Sequence, residues 1–277
     1  MSEPGTLYLV ATPIGNLGDI SARAAETLRN VDFIAAEDTR VTLKLLRHLD
    51  IKKPMVSYFE HNRRESGDKI VERILSGEHC ALVTDAGLPG ISDPGEDLVR
   101  LCYEAGVEIT VIPGPCAAVT ALAMSGLGAG RFTFEGFLST ARKSRFEHLS
   151  DLKTEKRTMV FYEAPHKLMR TLADMFEAFG DRRVSISREM TKLYEETLRC
   201  TLSEAIAHFE QNSPRGEFVL VIEGIQDEAA TETDLQDAVS AAEAYIQSGL
   251  SVKDSVKKVS EETGVAKNTL YNAVVKK

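Results

Sequence analysis

Three turns rich in glycine and proline each follow an apolar run, at Pro13–Asp19, Asp85–Gly95 and Pro113–Ala117. Glycine lets backbone amides approach a ligand closely. Proline holds a loop in one shape at low entropic cost. Asp85 and Asp93 add carboxylates that accept hydrogen bonds from ribose hydroxyls or an amino group. One such turn is as readily structural. Three of them at the ends of strand-like runs point to a ligand site, because open α/β sheets bind ligands beyond the carboxyl ends of their strands. Gly-x-Gly-x-x-Gly and Gly-Lys-Ser/Thr are both absent, so neither the dinucleotide fingerprint nor the Walker loop fits.

Polar clusters are the second kind of chemistry. Ala35-Ala-Glu-Asp-Thr-Arg40 sets Glu37, Asp38 and Arg40 at the end of an apolar run. It reads as a helix cap through Asp38 or Thr39, or as a polar patch on the same cleft. Arg188-Glu-Met-Thr-Lys-Leu-Tyr-Glu195 reads as a solvated edge or a site segment. In Phe161-Tyr-Glu-Ala-Pro-His166, Pro165 opens a helix and leaves Glu163 and His166 near a strand's carboxyl end. No Ser-His-Asp ordering or metal-ligand spacing appears, and no metal is expected. His61, His79, His148 and His208 stand alone.

The elements that must position these groups alternate. Thr6–Ala11, Val31–Ala36, His79–Thr84 and Val107–Ile112 are strand-like runs; Ile20–Leu28, Val41–Leu49, Ile70–Leu75 and Leu98–Glu104 have helical spacing. Asp19 or Ser21 can cap the first helix. That alternation predicts a mostly parallel sheet in residues 1–113. Pro113-Gly-Pro115 marks a junction, followed by a helix of small residues at Ala117–Met124. Strands at Phe132–Phe137, Thr158–Tyr162, Val184–Ser187 and Phe218–Glu223, with helices at Leu168–Phe179 and Ser203–Phe209, predict a second α/β domain over 114–225. Residues 226–277 read as an acidic linker and a helical tail with helix-turn-helix character. Gly264 sits in the turn, and Lys267, Asn268 and Tyr271 lie on the recognition helix.

The 277 residues carry a net charge of −9, which taken whole disfavours nucleic acid. The charge is unevenly spread. Residues 226–243 hold six acids and no base, whereas 140–160 and 250–277 each hold six basic residues against three acids. Local clusters, not the sum, govern phosphate contact. Cys80, Cys102, Cys116 and Cys200 form no close pair and read as reduced, mostly buried thiols. No apolar run is long enough to cross a membrane, and the N-terminus lacks signal-peptide character. A cytoplasmic location is expected.

The stretches ATPIGNLGDIS, AAEDTR, LVTDAGLPGISDPG, PGPCAAVTALAMSGL, FEGFL, FYEAPH, REMTK and GEFVLVIEG, in that order, resemble the ribosomal RNA small-subunit methyltransferase I family. That family lies within the tetrapyrrole methylase-like superfamily of S-adenosylmethionine-dependent enzymes. The resemblance runs from about Gly5 to Gly224, and the tail also fits. It implies an α/β, two-domain tetrapyrrole methylase-like fold with a small C-terminal helical module. It implies a homodimer and a bent S-adenosylmethionine in the cleft between the domains. The implied reaction is 2′-O-ribose methylation of a cytidine in 16S ribosomal RNA, near the decoding centre of the small ribosomal subunit. Carried over by motif, Pro13 and Gly15 shape the first cleft loop, and Asp85, Ala86, Gly87, Ser92 and Asp93 embrace the cofactor. Thr120 and Ala121 lie beside its amino-acid end, and Tyr162 and Ala164 close the cleft. Superfamily members carry Gly-Gly-Asp-Pro where this chain has Gly90-Ile-Ser-Asp-Pro94, which weakens the carry-over just before Asp93.

Methyl transfer is an in-line displacement in which the cofactor brings its own leaving group. The protein must align the reactants and activate a poorly nucleophilic hydroxyl with a base or a polarising cation. Glu37, Asp38, Arg40, Lys192 and Glu195 form the pool for that role. Two rival readings are a precorrin or diphthine methyltransferase on the same fold, and a DNA-binding regulator supported by the tail alone. The Ala-Thr-Pro-Ile-Gly-Asn start and the Glu-Asp-Thr-Arg cluster speak against the first.

Overall fold

A computed structural model describes residues 3–59, 62–92, 94–226 and 232–275. Asp93 and His61 lie outside the described residues. The chain separates into two compact units, 1–225 and 226–277.

The first sheet is built from β1 (Thr6–Val10), β2 (Phe33–Ala36), β3 (Met55–Ser57), β4 (Cys80–Val83) and β5 (Glu108–Ile112). Their order is β3-β2-β4-β1-β5, and every pairing is parallel. Helices α1 (Ala22–Asn30), α2 (Thr39–His48), α3 (Arg63–Leu75) and α4 (Glu96–Glu104) are the crossovers. Side-chain alternation decides which helix covers which face. Leu7, Leu9, Phe33, Ala35 and Leu82 pack with Ile70 and Ile74 of α3 and Leu98 of α4. Val10, Ile34, Ala36, Ala81 and Val83 pack with Ala24 and Leu28 of α1 and Leu46 of α2. Both faces being covered, β2 and β4 are buried throughout, as parallel strands require. Ser21 caps α1 and Asp38 caps α2, accepting from the amides of Ala24 and Arg40. β3 lacks a long apolar run and no reading of the sequence marks it.

The second sheet contains β6 (Phe132–Phe137), β7 (Thr158–Glu163), β8 (Arg183–Arg188), β9 (Glu196–Thr201) and β10 (Phe218–Ile222), in the order β6-β7-β10-β8-β9. Only β6 and β7 run parallel; β10 is antiparallel to both β7 and β8, and β8 to β9. One face carries α6 (Arg142–Asp151), α7 (Pro165–Phe179) and α8 (Leu202–Gln211) over Met159, Phe161, Ile186 and Leu220. The other is covered by α5 (Ala117–Met124), whose Ala118, Ala121 and Leu122 pack against Val160, Val219 and Val221. The small residues of α5 thus let a helix approach the sheet closely.

Two expectations change. The basic stretch 140–160 contains helix α6, and its Arg145 is buried. That guanidinium pairs with Asp174 at 2.6 Å and donates to the carbonyls of Ser139 and Thr140. Arg157 pairs with Glu155 and Lys143 with Glu147, so much of this charge is internally matched. The acidic segment 226–243 is not simply a linker: from Glu232 it is helix α9 (Glu232–Gln247). With α10 (Val252–Thr263) and α11 (Lys267–Val275), α9 encloses a small core of Ala238, Ala242, Val256, Val259, Val265 and Leu270. Gly264 closes α10 at φ +75°, and Lys267, Asn268 and Tyr271 are exposed on α11.

Candidate active site

Strand direction explains why distant segments meet. The parallel first sheet brings the residues after β1, β2, β4 and β5 to one edge. In the second sheet the ends of β7 and β8 face the start of β10, since Phe218 is paired with both Glu163 and Arg188. Between these two edges opens a cleft of about 490 Å³. That is within the usual span of small-molecule sites, roughly 300–1,000 Å³.

The first sheet supplies a wall of small groups and backbone. Ala86, Gly87, Leu88 and Ile91 come from the loop after β4, Ile14 from the loop after β1, and Cys116 and Ala117 from the start of α5. Gly87 and Thr12 form an isolated antiparallel bridge, each amide donating to the other's carbonyl at 2.9 and 3.1 Å. Both Gly87 backbone groups are therefore engaged, and its contribution to the cleft is shape. At φ +86° it has the left-handed backbone that glycine tolerates, and a Cβ there would lie 3.4 Å from Ile14 Cγ2.

The opposite wall is made of side chains. The Tyr162 hydroxyl accepts from the Ala118 amide at 3.1 Å, and its ring packs edge-on to Phe134 and tilted against Phe137. Glu163 is buried and turned to its own wall, accepting from the Ala164 amide and from Thr171 Oγ1. Lys192 Nζ donates to Glu189 at 2.9 Å and to Glu217 at 2.8 Å. Burial acts against ionisation of Lys192 and of Glu189, but their hydrogen bonds outweigh it. Lys192 therefore titrates above its ordinary value and Glu189 below. Glu189 and Thr191 have φ of +47° and +65°, and Ser92 has +64°. Three of the four non-glycine positive-φ residues among those described thus sit in loops around the cleft, where such strain is commonly held.

The two walls also touch at Gly15. A Cβ on Gly15 would lie 2.5 Å from Lys192 Cγ and 2.8 Å from Thr191 Oγ1, and the Asn16 amide donates to Thr191 Oγ1 at 3.0 Å. Gly15 is required here by close approach.

Of the residues singled out from sequence, Ala86, Gly87, Tyr162, Ala164 and Lys192 line the cleft together, with Glu163 and His166. Pro13 and Gly15 shape its rim without lining it. Asp85 lies at the carboxyl end of β4, joined to the cluster after β2. Its side chain accepts from the Asp38 amide, and its own amide donates to Glu37. Burial, reinforced by the charge of Asp38, holds the Asp85 carboxyl above its ordinary value. Asp38 is gripped by Arg40 at 2.6 Å, and that hydrogen bond takes its pKa down to about 2. Glu37, Asp38 and Arg40 do not line the cleft. Glu195 accepts from the Thr191 amide and braces the 189–195 turn. The structure does not bring Thr120 and Ala121 into the cleft. Ala121 is fully buried beneath the second sheet, and Thr120 bonds the Cys116 carbonyl and faces a separate hollow with Val119 and Asp19. Adjacent helix positions point about 100° apart, so Ala121 turns to the sheet while Thr120 turns to that hollow. Sequence reading did not single out Met190, Glu217 or Phe218 as site residues; the signals for them were the Arg188–Glu195 segment and the GEFVLVIEG stretch that contain them.

Among the described residues no group of acids, histidines or cysteines is arranged to hold a metal. No helix among them is long and apolar enough to cross a membrane.

Residues 6–206 match the family model of the Tetrapyrrole (Corrin/Porphyrin) Methylases. The chain belongs to this methylase family. A methylase relative from Synechocystis sp., named "Ribosomal RNA small subunit methyltransferase I", is 47% identical over 96% of each chain. A relative of the same name from Thermotoga maritima is 49% identical over 220 residues, which make 99% of its own length but 79% of this chain. It is therefore shorter than this methylase by roughly a fifth of its length. Among solved structures, uroporphyrin-III C-methyltransferase from Thermus thermophilus, complexed with S-adenosyl homocysteine, superimposes with a TM-score of 0.57 at 16% identity. That match covers 78% of this chain and 97% of that one and shows the shared fold.

Proposed function

We propose that this methylase transfers the methyl group of S-adenosylmethionine to the 2′-hydroxyl of a cytidine in 16S ribosomal RNA, near the decoding centre of the small subunit. The observation that carries this reading is 47% identity, over 96% of both chains, to a protein named for small-subunit ribosomal RNA methylation. The cleft suits the donor. Ala86, Gly87, Ala117 and Ala164 leave room for a nucleoside. Tyr162 and Phe137 present ring surface that tolerates a sulfonium cation. The N-terminus of α5 at Cys116 and Ala117 favours a carboxylate. When bound, the donor supplies a methyl on a sulfonium whose sulfur leaves as a neutral thioether.

The chain's own residues orient and activate the acceptor. Lys192, held as an ammonium by Glu189 and Glu217, polarises the hydroxyl and does not take its proton. Glu217, an exposed carboxylate 2.8 Å from Lys192 in the cleft, is the group we assign to receive that proton. Glu37, Asp38 and Arg40, joined to Asp85, support the loop after β4 from outside the cleft. The same reading has the enzyme act as a homodimer in the cytoplasm, with domains at 1–113 and 114–225 forming the cleft and 226–277 as an RNA-gripping module.

The test is mass spectrometry of nucleosides from 16S RNA of a strain deleted for its own methyltransferase I and supplied with this chain. Restored 2′-O-methylcytidine is expected. Soluble, folded protein with no restored methylcytidine overturns the reading.

A further inference from the structure

Glu189 has a second side. Beyond it lies another cavity, of about 690 Å³, bounded by the end of β8, the start of β9, the end of α8 and the turn before β10. Glu189 lines both this cavity and the cleft. Its Oε1 accepts from Lys192 Nζ at 2.9 Å and from the Glu217 amide at 3.1 Å. Gly216, at φ +82°, presses so closely that a Cβ there would lie 2.5 Å from Glu189 Cγ. A partition one side chain thick, fixed by these contacts, separates the two hollows.

The second cavity carries chemistry that the cleft does not use. Tyr194 stands 71% exposed at its rim. Among the described residues, neither the Tyr194 hydroxyl nor the Arg215 guanidinium has a hydrogen-bond or ion-pair partner. Arg188 leans on Glu196 through Nε at 2.9 Å. Asn212 spends its amide N–H on the His208 carbonyl and keeps its oxygen as an acceptor. A free aromatic face, an unpaired guanidinium and a side-chain amide are the three parts that grip a nucleotide of unpaired RNA: stacking, phosphate contact and base-edge reading.

We propose that this cavity seats the acceptor nucleotide, its base against Tyr194 and its phosphate on Arg215, so that the ribose lies across the Glu189–Gly216 partition beside Lys192. The inference rests on the methyl-transfer reading above and names its acceptor subsite. A ribose joins base and phosphate, so a nucleotide anchored at those two points presents its sugar where the partition meets the cleft.

The experiment uses the full-length protein and small ribosomal subunits from a strain lacking methyltransferase I. Methylation kinetics are measured for wild type, Tyr194→Ala, Tyr194→Phe and Arg215→Ala, alongside calorimetric binding of S-adenosylmethionine and thermal melts. Both side chains are exposed, so all variants should melt as wild type. Tyr194→Ala and Arg215→Ala should each raise KM for the particle about tenfold, within the range of one lost stack or phosphate contact. Tyr194→Phe should retain wild-type KM, and donor affinity should be unchanged throughout. If wild type methylates and both alanine variants match it, the subsite is overturned while the methyl-transfer reading stands. A rise in KM for only one of them overturns the two-point seating. If wild type methylates no ribosomal RNA, both readings fall.

Discussion

The two walls of the cleft are built from different materials. The wall from the first sheet is backbone and small side chains: Gly87 locked to Thr12, Ala86, and the opening of α5. The wall from the second sheet is side-chain chemistry: Tyr162 held by Ala118, and Lys192 clasped by Glu189 and Glu217. A wall of backbone fixes shape and suits a ligand of constant form. A wall of charged and aromatic groups supplies reactivity. Donor binding and acceptor activation should therefore separate under mutation.

The largest effect is expected at Lys192. Lys192→Met removes the cation and leaves Glu189 and Glu217 facing each other. Turnover should fall by about a hundredfold or more, the scale of a lost acid–base or polarising group. Donor affinity by calorimetry should stay within about threefold, below 1 kcal/mol. Equal losses in both would erase the distinction between the walls. Gly87→Val attacks the other wall. A β-branched residue at φ +86° is strained by roughly 1–3 kcal/mol, and its side chain adds bulk to the cleft wall. S-adenosylmethionine should bind at least about tenfold more weakly, a cost of roughly 1.4 kcal/mol. The melting temperature should also fall, with the fold retained by circular dichroism.

A third test asks whether either wall depends on residues 226–277. That unit encloses its own core. Truncation after Ile225 should leave donor affinity unchanged. It should lower particle affinity and flatten its salt dependence if Lys253, Lys257 and Lys267 meet phosphate. Filter binding across a salt series checks this, and identical slopes would remove the tail from RNA contact.

The smallest effect concerns Asp85. Its folded pKa is raised, chiefly by burial. A raised pKa contributes stability below the unfolded value, and this is lost as pH rises through the folded one. At neutral pH the ionised carboxylate is therefore a small burden on the fold. Asp85→Asn keeps an acceptor for the Asp38 amide. It should melt at or slightly above wild type at pH 7, the difference vanishing below about pH 4. A clear loss at pH 7 would mean that the charge itself organises the loop after β4.

What the sequence disclosed follows the same division. Backbone-built features announce themselves, because glycine and proline are chosen for conformation. The turns at Pro13–Asp19 and Asp85–Gly95 and the cap at Asp38 were legible for that reason. Strands buried on both faces, such as β2 and β4, were equally plain as unbroken apolar runs. β9 was not, since Glu196–Thr201 is a half-exposed edge strand without an apolar signature. Helix α6 was hidden because its sequence reads as charge, and only the fold shows Arg145 turned inward to Asp174. Glu217 was invisible on local grounds: it joins Lys192 across 25 positions through the antiparallel register of β10. For Thr120 and Ala121 the motif's position was plain, but the phase of its helix was not.

The Thr12–Gly87 bridge has a dynamic consequence. It consists of two amide hydrogen bonds outside any continuous ladder, linking the loop after β1 to the loop after β4. Neither loop can swing away without breaking both bonds, so the two loops part in one step, as a flap leaves its frame. The Thr12 and Gly87 amides are thus paired clocks for that opening: their deuterium exchange should run at a common rate set by local unfolding. A ligand that needs the flap shut would slow both in proportion to its occupancy.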